Sequence, residues 1–86
     1  MAPPLTVSSL AHLRRLVSSP HRLCLRIKTP DQSSGLTLIE LLLAIEIIRH
    51  HPHLQLVSLT SDHPESYEFA QALFQIRYYY PQVYVA

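Results

Sequence analysis

A single glycine, Gly35, and a single cysteine, Cys24, stand in a chain of 86 residues, and each scarcity removes a class of chemistry. Loops that cradle phosphate need glycines so that backbone amides can approach the ligand, which excludes nucleotide binding of the usual Gly-rich kind. One cysteine forms no internal disulfide, and it supplies neither a two-cysteine redox motif nor a cysteine-rich zinc cluster, so a reducing compartment is implied. Acidic side chains are missing from residues 1–30, which hold Arg14, Arg15, Arg22, Arg26 and Lys28, five of the seven basic residues. All six carboxylates follow, from Asp31 onward, against Arg49 and Arg77. The formal charge of +1 thus describes a cationic head joined to an anionic body. A membrane-length apolar run is also missing. The most apolar stretch, residues 36–48, contains Glu40 and Glu46, and its 13 residues fall short of the roughly 20 needed to cross a bilayer.

What the chain does hold is apolar for its size, with 48% hydrophobic and 15% charged residues. A domain this short buries only about 60% of the surface its unfolded chain exposes. Such a composition excludes a disordered tail and implies that some apolar surface meets a partner. The acid-free head places Leu10, Leu13, Leu16 and Val17 at helical spacing beside Arg14 and Arg15. That pattern predicts an amphipathic helix with the composition of a mitochondrial targeting segment.

Alternation of Leu23, Leu25 and Ile27 with Cys24, Arg26 and Lys28 predicts a first strand with one buried face, ended by Pro30. Thr37 followed by Glu40 has the spacing of a reciprocal helix cap and opens a helix running to about Arg49. Apolar residues wrap most of that helix, more than a one-sided surface helix needs, so it should touch both the sheet and something else. Pro52 stops it. Residues 54–60 then read as a strand buried on both faces, parallel to the first. Asp62 and Glu65 repeat the capping spacing around Pro64 and predict a second helix, with Phe69, Ala70, Leu73, Phe74 and the stem of Arg77 facing the sheet. Residues 78–86 suit a final strand whose start Pro81 confines to an edge or bend.

Constellations that could carry chemistry are few. His50, His51 and His53 are close enough in sequence to suggest a metal site, but histidines at a helix end also cap its last carbonyls. Cys24 falls in mid-strand, where it packs as a small hydrophobe rather than a nucleophile. Glu40 and Glu46 lie on different sides of their helix, and Glu65 with Glu68 offset a helix dipole. No catalytic residue, cofactor or small-molecule substrate is expected. The basic head and Tyr78, Tyr79 and Tyr80 suit RNA phosphates and bases as well as a protein neighbour.

Residues 23–28 as first strand, Gly-Leu-Thr-Leu-Ile-Glu at 35–40 opening the helix, His51-Pro52-His53-Leu54 before the second strand and Pro64 starting the next segment form a pattern. It resembles the thioredoxin-like domain shared by certain mitochondrial ribosomal proteins and a small accessory subunit of respiratory complex I. The likeness covers about residues 23–73. It departs from the family at His51, where asparagine is usual, and in lacking a final helix. It implies a building block that keeps the shape of thioredoxin without its chemistry. The expected fold is therefore a small α/β domain, a thioredoxin-like β-α-β-α-β sheet over residues 21–86, behind a basic amphipathic segment over residues 1–20. The expected role is a non-catalytic subunit of a mitochondrial matrix-side assembly, either a complex I accessory subunit or a ribosomal protein. Its partners are other protein subunits, with ribosomal RNA contact through the basic segment left open, and the interface is expected at Arg14, Arg15, Arg22, Arg26, Leu42, Ile45, Tyr78, Tyr79 and Tyr80. The alternative is a free-standing interaction or regulatory module, viral or lineage-specific, that dimerises through the apolar helix.

Overall fold

The computed structural model describes residues 3–86. Four strands, β1 (Leu5–Val7), β2 (His21–Arg26), β3 (Leu54–Thr60) and β4 (Tyr84–Val85), alternate with three helices, α1 (Leu10–Leu16), α2 (Leu38–Arg49) and α3 (Tyr67–Tyr79). The strands pair in sequence order, and every pair is parallel. Crossovers of one hand between strands laid down in sequential order carry all the helices to one side. Accordingly α2 packs between α1 and α3 in a single layer. The α/β class and the parallel strand-helix-strand unit agree with the reading of the sequence.

Register separates the two faces of the sheet. Val7 pairs with Leu25 and Leu25 with Leu59, a row that is fully buried beneath the helices together with Leu23. The alternate row, Thr6, Cys24, Ser58 and Tyr84, lies on the face without helices, as do Arg22, Arg26, Gln55 and Thr60. The pairing skips at Leu23 and Cys24, where the partner moves from Leu56 to Ser58 and leaves Val57 as the extra residue. From the helix side Leu13, Leu41, Ala44, Ile45, Ile48, Phe69, Ala72 and Ile76 close the core.

Local chemistry explains the helix starts. Thr37 Oγ1 accepts from Glu40 N at 3.2 Å and Glu40 Oε1 accepts from Thr37 N at 3.0 Å, completing the reciprocal cap. These bonds hold the Glu40 carboxyl below its usual range. At α3 the expected Asp62 cap is displaced: Asp62 Oδ2 instead accepts from Arg26 Nη2 at 2.7 Å, and Ser66 caps through Phe69 N at 3.1 Å. Pro64 precedes that helix rather than standing in its first turn.

Four further expectations change. Residues 1–20, read as a segment apart, contribute β1 and α1 to the same sheet and core, with Val7 and Leu13 fully buried. Tyr78 and Tyr79 belong to α3 and Tyr80 is its C-cap, because the buried period through Phe69, Ala72 and Ile76 runs on until Pro81; only Tyr84 and Val85 form the last strand. Phe74 turns outward at 75% exposure and Ala70 is exposed, since five residues of helix rotate Phe74 well round from Phe69. β3 is also less enclosed than expected, with Gln55 exposed and Leu56 and Val57 half-buried.

Candidate partner surface

Total accessible surface is 5207 Å², matching the roughly 5,200 Å² that folded monomers of this mass expose. Apolar exposure therefore reflects which residues face outward, not loose packing. On α2 these are Leu38, Ile39, Leu42 and Leu43; on α3 they are Tyr67, Phe74, Tyr78 and Tyr79. Exposure reaches 72–80% at Tyr67, Ile39, Phe74 and Tyr78. Summed residue by residue, at about 150–250 Å² for a whole aromatic and somewhat less for an aliphatic, the eight expose on the order of 1,000 Å² over the two helices.

One contact joins the ends of α2 and α3, and a second orders the tyrosines within α3. Arg49 lies over the Tyr79 ring, 4.8 Å from its centroid, and the Tyr78 and Tyr79 rings meet edge to face at 4.9 Å. At the other end Leu38, Tyr67, Gln71, Ile27 and Pro30 line a cavity of about 350 Å³. A sheet with strands in sequential order has no point where that order reverses, and such points form the usual ligand crevice of α/β sheets. The helix face, rather than a strand-end crevice, is the more conspicuous feature.

The residues expected at an interface separate into distinct places. Arg14 and Arg15 are exposed on α1, and Leu42 is 43% exposed on α2. Ile45 is buried at 2% and belongs to the core: one helical turn beyond Leu41, it points at the sheet. Arg22 and Arg26 are half-buried on the opposite side of the molecule, on the sheet face without helices, and Arg26 is engaged by Asp62. Tyr78 and Tyr79 reach the helix surface, whereas Tyr80 packs against the core. Its burial pushes the phenol above the ordinary range, with nearby Arg49 opposing and Glu46 adding to the rise. Ile39, Tyr67 and Phe74 join the surface beyond the expected residues; the apolar circumference of α2 carries the signal for Ile39, while Phe74 faces away from the sheet that its spacing from Phe69 suggests.

The histidines act on carbonyls. The ring Nδ1–H of His50 donates to Glu46 O at 2.8 Å and that of His51 to Ile47 O at 2.7 Å, and His53 Nε2–H donates to Val17 O. Among the described residues, no group of three or more His, Cys, Asp or Glu is placed to hold a metal ion. Cys24 is buried at 4% beside its register partner Ser58, whose fully buried hydroxyl has no hydrogen-bond partner. Among the described residues, no helix is long and apolar enough to cross a membrane.

Gln32, in what read as a plain polar connection, ties two loops together. Its Oε1 accepts from Thr29 Oγ1 at 2.6 Å, Ser61 Oγ at 2.8 Å and Asp62 N at 3.2 Å, and its Nε2 donates to Ser34 O at 3.3 Å. Replacing Gln32 with Ala strands these groups, Thr29 being only 2% exposed. The variant is expected to lose about 1–3 kcal/mol, read as a lower urea midpoint with an unchanged slope.

Comparison with family models finds no match for this chain, and neither the known proteins nor the solved structures yield a significant similarity.

Proposed function

We propose that the chain is a non-catalytic structural subunit of a mitochondrial multi-subunit assembly on the matrix side, in the manner of a complex I accessory subunit or a mitochondrial ribosomal protein. The observation that carries the subunit reading is the outward apolar face of α2 and α3, headed by Ile39, Tyr67, Phe74 and Tyr78. Its area is comparable with the ~800 Å² that each partner contributes to a standard interface. Aromatic residues with a polar tip favour that use. Kinship with thioredoxin-like subunits is part of the proposal and rests on the β2, α2, β3 unit and its capped helix start. The acid-free, Arg-bearing head supplies the mitochondrial address. Because Val7 and Leu13 are core residues, the address is retained after import rather than removed.

Expressed alone, the chain is expected to bind a fluorescent apolar dye and to self-associate heterogeneously in light scattering, with both effects reduced in a Phe74→Ser, Ile39→Ser variant. Import into isolated mitochondria should proceed without a change in mass. A wild-type chain that is monomeric and takes up no dye would refute the subunit reading; exclusion from mitochondria would refute the address.

A further inference from the structure

The groove between α2 and α3 differs at its two ends. At the C-terminal ends of the helices Arg49 of α2 is bonded to Glu46 at 2.9 Å and lies over the ring of Tyr79 on α3. At the N-terminal ends the groove deepens into the cavity of about 350 Å³, with buried Ile27 and Ala72 as its floor and Leu38 and Glu68 among its walls. That volume lies within the about 300–1,000 Å³ of concave sites that take a specific occupant. Its walls are held by the chain's own bonds. Thr29 Oγ1 donates to Gln32 Oε1 at 2.6 Å, the Thr37 cap fixes Leu38 at the first position of α2, and the Ser66 cap fixes Tyr67 and Glu68 at the start of α3. A hollow already ordered in this way demands little further ordering when it is filled.

Beyond the hollow the surface continues as two rails. On α3, Tyr67, Phe74 and Tyr78 recur at intervals that keep them on one outward stripe, about 16 Å long at a rise of 1.5 Å per residue. On α2, Leu38 and Leu42 are one turn apart and both are exposed. Paired apolar rails of this length, with a pocket at one end, suit a helix lying lengthwise that presents anchors one turn apart. Charge is unmatched at the hollow end only. Arg49 has Glu46, whereas exposed Glu68 has no hydrogen bond or ion pair among the described residues, and Glu65 meets only His63, at 3.5 Å. Lys28, which also lines the hollow, acts on Glu40, whose carboxyl is lowered mainly by its bonds to Thr37 and further by this lysine.

We propose that the groove between α2 and α3 seats an amphipathic helix of a neighbouring protein, one large apolar side chain of which enters the hollow while a flanking Lys or Arg meets Glu68. The inference rests on the subunit reading and names the kind of partner that reading requires.

Fluorescence anisotropy of a labelled model peptide, helical with Leu along one face and Lys along its flanks, titrated with the full chain, tests this. The Lys peptide is expected to bind, and a counterpart with Glu in place of every Lys to bind more weakly. Leu38→Ala should weaken binding of the Lys peptide roughly tenfold, the loss expected of an anchoring contact. Glu68→Gln should weaken it about twofold to fivefold, the weight of one exposed ion pair, without weakening the Glu peptide. Thr6→Ala, on the uncovered sheet face, should leave binding unchanged, and circular dichroism should show all three variants folded. Dye uptake by the wild-type chain without peptide binding would overturn the groove assignment and leave the subunit reading intact; a monomeric chain that takes up no dye would remove both. Equal binding of the two peptides, unaltered affinity in Leu38→Ala, or a discrete homodimer that excludes the peptide would each overturn the assignment.

Discussion

Deletion of residues 1–20 is expected to abolish the cooperative unfolding transition of the remaining chain. The segment supplies β1, which covers one edge of β2, and α1, which packs on α2. Val7 and Leu13 leave with it, both fully buried, and Leu10, Leu16 and Val17 pack against the same core. Fully burying one such aliphatic side chain contributes about 1.5–3 kcal/mol. A domain of this length has a total stability of only about 4–13 kcal/mol. The loss also bares Leu23 and Leu25 along the β1 side of the sheet. Thermal melting followed by circular dichroism checks the expectation: a broad, featureless decline is expected, and a sharp transition near that of the full chain would contradict it. The same result bears on the address, since a head that doubles as core cannot be clipped off without unfolding the rest.

Gly35→Ala is expected to be the most damaging of the conservative single substitutions in the loops. Gly35 has φ +133°, a conformation open to glycine and strained for any other residue. A Cβ placed there would lie 2.7 Å from Lys28 N and 2.9 Å from Lys28 Cα. Those are backbone atoms that cannot step aside, because Lys28 N donates to Leu36 O at 2.9 Å and Leu36 N donates to Arg26 O at 2.8 Å. The loop therefore returns beside the end of β2, bridging Ile27 and Leu36, with glycine at the point of closest approach. Strain of this kind costs about 1–3 kcal/mol before the clash is counted. Urea unfolding of the purified variant should show a midpoint well below wild type; an unchanged midpoint would mean that the loop does not press on β2 there.

Much of this fold was legible because its signals are local. Thr37 with Glu40 and the run at 54–60 carry their chemistry within a few residues, and α2 and β3 lie where that chemistry puts them. β1 escaped notice because three residues, Leu5, Thr6 and Val7, give no measurable alternation. The start of α3 was misassigned because Asp62 has a competing partner thirty-six residues away in sequence, Arg26, which no local pattern reveals. Tyr78 and Tyr79 have strand-favouring composition but continue a helical period already anchored by Phe69 and Ile76, and packing overrode propensity. For the surface, an excess of apolar residues on α2 was visible, whereas Ile45 and Ile39 were distinguishable only once the helix was set against the sheet.

The sheet is narrow at both margins: β1 spans three residues and β4 two, against six and seven in the strands between them. Short borders offer few free backbone groups for another chain to zip onto, a common safeguard against fibril growth. A molecule this sticky through its helices is thus poorly equipped to polymerise through its strands. When deprived of company it should clump without order instead of building cross-β filaments, and that form of clumping is the one that a chaperone or a late-arriving neighbour can still reverse.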